Sequence, residues 1–559
     1  MKGYLQAPRA PKPMLAVAAL FAGLLAGCGA KQAASTSAPG AGATPATAAV
    51  AAAPTLVGSV EDAAHAPLAG ATVYATETAS GIILSTHTGA DGRYTLPLRV
   101  AGEHLLTASR KGWHAGAPQA VAATGGHVDA GRVELTRAGF VPGEQLNSAD
   151  ILPQLPELDT PAGARIGQSC SQCHSISALL ARGGRTREEW TAMVALMGTV
   201  AGGYFPIREQ FQKEYVDWLV KHLGPGSKLP EQIGRTVAAQ PPALPTGSDV
   251  VFTEYEIPSA MALAHTAVPD KRGSVWFASF GVGKVGRLDI ASGRITEYPT
   301  RTPGLHPHGI TVSPEGIVWF TAMPYGIGRI DPKTGDLQEF KAPEPTESAR
   351  GSPHTIIVAR DGKVWFSELT NGSITSFDPR TQQFRRYQIE EHSGPYGILE
   401  REDNVFWFIL SGASKVGVLD ANTGKVRTWP TPTPKANPQR FRFASDGRIW
   451  FGEYGAGKIG VFDPKTGKMQ EYELPYGGSA YCIHLGPDGE VWVASTRRES
   501  LIRFNPETKA MTEYPLPGAG ADGDLLGPII RDIWPDETGR MWFVEWSRNK
   551  VASAQVRRQ

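Results

Sequence analysis

The second half of the chain is a sequence repeat, and this repeat limits the fold more than any other feature. A hydrophobic residue followed by Trp-Phe recurs every 42–50 residues, with Trp-Val in one copy. The seven tryptophans are Trp276, Trp319, Trp365, Trp407, Trp450, Trp492 and Trp542. A period of this length with four short strands per unit is typical of a β-propeller. The repeat predicts a seven-bladed β-propeller over residues 250–559.

The outermost strand of each unit carries a second marker, a short polar run that ends in an aromatic residue. Six copies follow a Trp-Phe strand, whereas the seventh, Thr253-Glu254-Tyr255, precedes Trp276 and none follows Trp542. We therefore expect this first strand to be the outer strand of the seventh blade. Closing the ring in this way removes the exposed edges of an open sheet.

The pentapeptide Cys170-Ser171-Gln172-Cys173-His174 has the pattern of a c-type haem attachment site. Two thiols three residues apart can bind one porphyrin, and the histidine that follows can bind its iron. The alternatives are a redox dithiol and half of a zinc site. Zinc needs a second ligand pair, but the other two cysteines, Cys28 and Cys482, each stand alone. A dithiol does not explain His174, so the motif favours covalent haem c.

The stretch after this motif predicts an amphipathic helix, because Trp190, Met193, Val194 and Met197 recur at helical spacing. It resembles small single-haem cytochrome c domains in which a Trp-x6-Met helix follows the haem motif. The resemblance implies that Met197 is the sixth iron ligand, and a thioether there raises the reduction potential. Met193 lies one turn earlier and is the alternative, although we expect it to pack in the core. The predicted cytochrome c domain is all-α and spans residues 161–228.

The amino-terminal residues predict an export signal. Basic residues precede an apolar run from Met14 to Leu25, and small residues then lead to Cys28. This junction resembles a bacterial lipoprotein signal over residues 1–28, which implies that Cys28 is acylated. Gly29 is not the aspartate that favours the inner membrane in such proteins. We expect an exported protein held by its lipid anchor on the periplasmic face of the outer membrane, or at the cell surface.

Two segments separate this anchor from the haem motif. Residues 29–54 are almost entirely Ala, Gly, Ser, Thr and Pro, a composition that predicts a disordered tether. Residues 55–137 alternate apolar and polar side chains in short runs, with a hairpin signal at Ala90-Asp91-Gly92. This part resembles the carboxypeptidase regulatory-like domain, which implies a transthyretin-like β-sandwich without catalytic activity. Linkers are expected at 138–160 and 229–249, so the chain is predicted to be a mainly β multidomain protein.

The net charge of the 559 residues is +1, which disfavours nucleic acid as a partner. The phrases Pro307-His308-Gly309-Ile310 and Gly-x-Val/Ile-Trp-Phe-x-Glu resemble the virginiamycin B lyase (streptogramin lyase) family across the whole propeller. In these lyases a histidine is the base and glutamates hold Mg²⁺. The resemblance points to His354 and His308 with Glu368 as catalytic residues. It departs at Ser352, where the family has a metal-binding glutamate.

Alignment of the blades places one residue of each at the entrance of the inner strand, where they should form a ring around the channel. The ring consists of His265, His308, His354, Tyr396, Gln439, Tyr481 and Arg531. Three glutamates, Glu368, Glu453 and Glu545, follow the Trp-Phe pairs and are expected to face the same channel as divalent metal ligands. Such a channel predicts a binding site for a small molecule.

These features predict electron transfer through haem c to a redox partner protein, with the propeller binding a substrate or partner. One alternative is a carbon–oxygen lyase that opens a cyclic ester with a histidine base and Mg²⁺. Another is a non-catalytic binding module at the cell surface. The sequence separates these alternatives only in part, because a polar channel is common in propellers.

Overall fold

The computed structural model describes residues 53–171, 174–197, 209–240, 245–343, 352–475, 477–519 and 527–557. The predicted signal with Cys28, nearly all of the tether and Cys173 lie outside the described residues. Within these ranges the protein is mainly β, and none of the helices there has the length and apolar character needed to span a membrane.

The amino-terminal region is a β-sandwich, as the alternating sequence predicts. Its strands are β1 (Thr55–Glu61), β2 (Thr72–Glu77), β3 (Ile83–His87), β4 (Arg93–Pro97), β5 (Gly102–Ser109), β6 (Trp113–Ala115), β7 (Gln119–Ala123) and β8 (His127–Arg137). One sheet has the order β4-β1-β8-β6 and the other contains β3-β2-β5-β7. Alternate side chains of β1, such as Leu56 and Val60, are fully buried in the core between them.

A helical segment follows the sandwich. Its α-helices in the described residues are α1 (Ser148–Ile151), α2 (Pro161–Ser169), α3 (Ser177–Ala181), α4 (Arg187–Met197), α5 (Glu209–Leu223) and α6 (Leu229–Ala238). Thr186 caps α4, since its hydroxyl accepts from Glu189 N and the Glu189 carboxylate accepts from Thr186 N. Trp190 and Val194 on α4 are buried.

The helical core extends further along the chain than the predicted 161–228. Val141, Ile151 and Leu155 from the predicted first linker are buried in it, and so is Ile233 of α6 from the second. The sequence did not reveal this because these short helices contain too few residues for a clear periodic pattern.

The rest of the described chain forms a β-propeller-like series of four-stranded sheets, and in six of them the strands lie in sequence order. The first sheet comprises β10 (Ala264–Pro269), β11 (Ser274–Ser279), β12 (Lys284–Asp289) and β13 (Ile295–Pro299). The second comprises β14 (His306–Val312), β15 (Val318–Met323), β16 (Gly326–Ile330) and β17 (Leu337–Lys341). The third comprises β18 (Pro353–Val358), β19 (Val364–Glu368), β20 (Ser373–Asp378) and β21 (Gln383–Gln388). The fourth sheet comprises β22 (Pro395–Glu402), β23 (Val405–Leu410), β24 (Lys415–Asp420) and β25 (Lys425–Pro430). The fifth comprises β26 (Pro438–Phe443), β27 (Ile449–Glu453), β28 (Lys458–Asp463) and β29 (Lys468–Glu473). The sixth comprises β30 (Ala480–Leu485), β31 (Val491–Ser495), β32 (Ser500–Phe504) and β33 (Met511–Pro515). The seventh combines β34 (Trp534–Pro535), β35 (Met541–Glu545) and β36 (Lys550–Val556) with β9 (Val250–Glu256) from the start of this region.

The repeated Trp-Phe pair explains how each sheet is held together. In every sheet the tryptophan lies next to the aromatic residue of the outer strand, as with Trp365 and Tyr387, whose ring centroids are 5.3 Å apart. The phenylalanine packs over the third strand, where a Cβ on Gly286 would lie 2.0 Å from Phe277. That close approach explains the recurring glycine of the third strand.

The seventh sheet is closed as predicted, and it also continues beyond the propeller. β9 pairs antiparallel with β36, and Tyr255 stacks on Trp542 with centroids 6.2 Å apart. The free side of β9 pairs with β3 of the sandwich, giving an eight-stranded sheet. The sequence did not predict this second pairing, because it joins segments more than 160 residues apart.

Candidate functional site

The ring residues lie on the inner strands, where the backbone departs from regular pairing. In six of the seven sheets the register between first and second strands shifts at this point, for example between Pro307 and Ile310. A β-bulge of this kind redirects a side chain that would otherwise lie on one face of the sheet. Consecutive residues of each inner strand can therefore contribute to the channel.

The structure brings five of the seven predicted ring residues into contact with one another. The centroids of His265 and His308 are 3.5 Å apart, those of His308 and His354 are 4.2 Å apart, and those of His354 and Tyr396 are 3.8 Å apart. The Tyr396 and Tyr481 hydroxyls form a short hydrogen bond, and Tyr481 Oη lies 3.2 Å from His265 Nε2. These side chains form a closed aromatic belt.

The other two ring residues lie beside this belt. The guanidinium of Arg531 is 5.3 Å from the centroid of Tyr481 and 4.9 Å from that of Trp546. Gln439 is buried and donates to Ser411 Oγ.

Burial sets the protonation of the belt. It lowers the pKa of His265, His308 and His354 well below the usual value, and nearby positive groups such as Arg440 lower it further. Burial likewise raises the pKa of Tyr396 well above its usual value. At neutral pH the imidazoles are therefore uncharged and the phenol keeps its proton.

The carboxylate of Glu368, expected to face the channel, is hydrogen-bonded within its own sheet. Its carboxylate accepts from Ser373 Oγ at 2.8 Å and Thr375 Oγ1 at 2.6 Å, both on the adjacent strand β20. It also accepts from Arg386 on β21, with Nε at 2.8 Å. Glu368 belongs to the second strand, one strand away from the channel, so its side chain reaches the outer strands of its own sheet.

Glu453 and Glu545 also differ from the prediction. Burial, and then the charge of Glu471 on the outer strand, raises the pKa of Glu453 to about 8. Burial, and then Glu254, raises that of Glu545 to about 8, and Arg548 Nη1 lies 2.7 Å from its carboxylate. Among the described residues, no group of three or more His, Cys, Asp or Glu side chains could hold a metal ion. The three glutamates are therefore not a common set of divalent metal ligands.

The sequence reasoning missed a charged layer directly next to the belt. This layer consists of three buried residues that each follow a ring residue in the sequence, namely Arg440, Cys482 and Asp532. The thiol of Cys482 donates to Asp532 Oδ1 at 2.9 Å, and Arg440 Nη2 lies 3.4 Å from Asp532 Oδ2. Burial opposes ionisation of Asp532, but Arg440 and Arg442 hold its pKa below the usual value. Reading one position further in each blade would have found this layer.

The helical segment contains the described part of the predicted haem motif. Cys170 is the C-cap of α2 and packs against the helical core. His174 Nδ1 lies 2.8 Å from the carbonyl oxygen of Ser175, and burial lowers the pKa of this histidine. A carbonyl only accepts, so Nδ1 carries the proton and Nε2 keeps a lone pair that can bind a metal.

The two candidate methionines of α4 have different surroundings. Met193 packs against the helical core, whereas Met197 is the last residue of the helix and is half-buried. Nearby in the core, the indole nitrogens of Trp190 and Trp218 are buried, and neither finds an acceptor among the described residues.

Comparison with known proteins agrees with the repeat. The model of the virginiamycin B lyase family matches two overlapping ranges, residues 245–497 and 382–528. Together these ranges cover about half of the chain. The propeller belongs to the virginiamycin B lyase family. Residues 55–136 match the carboxypeptidase regulatory-like domain. No curated protein matches the chain.

Several solved structures are similar to the virginiamycin B lyase-like part of this chain. Virginiamycin B lyase from Staphylococcus aureus is 23% identical, and the match covers 55% of this chain and 99% of that one, with a TM-score of 0.49. A streptogramin B lyase is 25% identical over 55% and 98% of the two chains, also with a TM-score of 0.49. A catalytically inactive variant of the Staphylococcus aureus enzyme with quinupristin is 23% identical, over 55% and 99%, with a TM-score of 0.48.

Proposed function

We propose that this protein is an exported, lipid-anchored electron-transfer protein that carries one covalent haem c. In this proposal its virginiamycin B lyase-like propeller binds a small molecule or a partner. Electrons pass between the haem and a redox partner protein. The observation that carries the proposal is His174, at the end of the Cys-x-x-Cys-His pattern, with Nδ1 bonded to the Ser175 carbonyl.

The described residues His174 and Met197 fit this group, since one would bind the iron through Nε2 and the other would complete the coordination. By the sequence motif, Cys170 and Cys173 would attach the porphyrin. When bound, the haem supplies one-electron oxidation and reduction. The hydrogen bond to Ser175 fixes the orientation of the His174 ring, and burial keeps the imidazole neutral, as a ligand must be. The buried indole N–H groups of the two tryptophans are donors suited to a group that carries carboxylates.

The export assignment rests on the amino-terminal sequence. The basic residues, the apolar run and Cys28 support acylation and membrane attachment through lipid. An exported location is also the one in which c-type haem is attached in bacteria. Metabolic labelling with a fatty acid should therefore mark the wild-type protein and not Cys28→Ser.

The test of the haem is direct. The full chain, expressed with a cytochrome c maturation system, should be coloured, show a reduced-minus-oxidised haem spectrum and retain haem on a denaturing gel. Cys173→Ala should lose covalent attachment. Cys482→Ala is the matched control, because Cys482 is buried in the propeller and should leave the haem unchanged. A colourless wild-type protein would refute the proposal.

A lyase reaction is the second candidate, favoured by family membership and by the uncharged imidazole of His354, which can act as a base. The Glu368 carboxylate, which the family mechanism would use as a metal ligand, already accepts from Ser373, Thr375 and Arg386, which favours this candidate less than electron transfer. Assay of cyclic depsipeptides with and without Mg²⁺ tests this candidate. Turnover that His354→Ala abolishes would favour it over a binding role, and no turnover by the wild type would exclude it for these substrates.

A further inference from the structure

The charged layer next to the aromatic belt does not balance its own charge. Arg440 is 4% exposed and the side chain of Arg442 is 11% exposed, while Asp532 is fully buried. The nearest contacts of the two arginines to Asp532 are 3.4 and 3.8 Å, longer than charge-assisted hydrogen bonds. Two cations therefore share one distant carboxylate.

No other charged group of this layer supplies the missing negative charge. The Cys482 thiol is neutral because burial, and then Asp532, raises its pKa. His484 is also neutral, since burial, and then Arg442, lowers its pKa to about 3. The three belt histidines are uncharged for the same reason. Arg440, Arg442 and Asp532 together thus carry one net positive charge in a buried place, where an uncompensated charge is costly.

The arginines also retain unused donors. Arg440 Nη1 donates to Thr355 Oγ1 at 2.8 Å, and Arg442 Nη1 donates to the carbonyl of Phe441 at 2.8 Å. Across the described residues, Nε and Nη2 of both arginines are buried and have no hydrogen-bond acceptor. Buried donors in native proteins nearly always have one. Four N–H-bearing atoms therefore need an acceptor.

A small cavity lies beside both arginines. It is lined by Arg440, Arg442, Asp532, Thr355, Gly309 and Gly397, among others, and has a volume of about 20 Å³. A cavity needs roughly 10–15 Å³ to hold one water molecule. The space is therefore large enough for one particle of about the size of a water molecule.

We propose that this cavity binds one monovalent anion of halide size, such as chloride, between Arg440 and Arg442. The anion supplies the missing negative charge and accepts from the unused guanidinium donors. It would also connect blades, because the lining residues come from different inner strands. This inference rests on the channel alone and holds whether or not the helical segment carries haem.

The first experiment measures thermal stability of the full chain in sodium chloride, sodium bromide and sodium gluconate at equal ionic strength. We expect the melting temperature to rise with halide and to saturate, because a ligand that binds only the folded state stabilises it by mass action. Crystals grown in bromide should show an anomalous peak within hydrogen-bond distance of both guanidinium groups.

Two substitutions beside the cavity are expected to change halide affinity in opposite directions. Arg442→Gln removes one charge-assisted donor pair, so the halide concentration for half-maximal stabilisation should increase at least about tenfold. Asp532→Asn removes the competing carboxylate, so this concentration should fall by about tenfold or more. Arg427→Gln changes an exposed arginine on an outer strand and serves as the matched control without effect.

Equal stabilisation by gluconate and the halides, or the absence of a bromide peak in the channel, would overturn the proposal. If Arg442→Gln fails to fold, diffraction from wild-type crystals in bromide still decides the question. Loss of haem in Cys173→Ala should change neither the halide-dependent melting temperature nor the bromide peak. Failure of the electron-transfer proposal can therefore be distinguished from failure of the anion-site proposal.

Discussion

The carboxylate of Glu368 forms a two-point contact with the guanidinium of Arg386, with Nε 2.8 Å from Oε2 and Nη2 3.2 Å from Oε1. Glu368 is 1% exposed and also accepts from two hydroxyls of its own sheet. A buried carboxylate with this set of partners is a structural element of the blade. The pair explains why a glutamate at this position does not by itself indicate a metal site.

Breaking this pair should destabilise the protein. Glu368→Gln leaves Arg386 without its anion, and removing one partner of a buried pair costs about 2–4 kcal/mol when the other is partly exposed. The shift of the urea midpoint measures this loss. Arg385→Gln, at the neighbouring exposed position, is the control and should change stability by less than about 1 kcal/mol. A Glu368→Gln protein as stable as wild type would contradict the structural role, and so would stabilisation of the wild type by Mg²⁺ that this variant loses.

The sequence predicted the architecture better than the contacts of the site. The blade count and the closure of the seventh sheet follow from local patterns, because each blade repeats the same tryptophan–aromatic pair, of which Tyr255 and Trp542 join the two ends. The ring at His265 and His308 follows from one fixed offset in the repeat. These features depend on period and alternation, which a sequence displays directly.

The partners of charged residues depend on geometry that the repeat does not encode. Arg386 reaches Glu368 across an intervening strand, so their separation of 18 residues gives no signal. Arg440 and Asp532 were missed because simple strand alternation assigns them away from the channel. The bulge in the inner strand changes that assignment, for example between Pro438 and Phe441.

The two methionines of α4 give a test of the proposed iron coordination. Met197→Leu should lower the reduction potential and remove the absorption band of methionine–iron ligation, because a thioether ligand favours the reduced iron. Met193→Leu is the matched control. It replaces a core residue by one of similar volume, so stability should fall by less than about 1.5 kcal/mol with an unchanged spectrum. If Met193→Leu alone altered the spectrum, the ligand assignment would be reversed.

The sheet that runs from sandwich to propeller predicts that the two unfold together. Arg99 of the sandwich donates to Tyr255 Oη at 2.9 Å and lies 3.3 Å from the buried carboxylate of Glu77. Arg99→Ala should cost about 2–3 kcal/mol and speed hydrogen exchange of the amides of β9, since it leaves Glu77 without its cation. Arg93→Ala changes an exposed arginine and should do neither. Separate thermal transitions of sandwich and propeller in the wild type would contradict this coupling.

The raised pKa of Glu453, about 8, makes stability depend on pH in a defined direction. In the unfolded chain this carboxyl ionises near its usual value of 4.5, so between pH 4.5 and 8 the folded state binds the extra proton. Its contribution is therefore fully favourable below pH 4.5 and is lost as pH rises through 8.

Glu453→Gln should remove this loss and stabilise the protein by about 2–4 kcal/mol at pH 8 relative to wild type, with little difference at pH 4.5. Glu473→Gln, whose side chain is 83% exposed in wild type, is the control. Urea unfolding at several pH values measures both, and equal pH dependence of wild type and Glu453→Gln would show that Glu453 ionises normally in the folded protein.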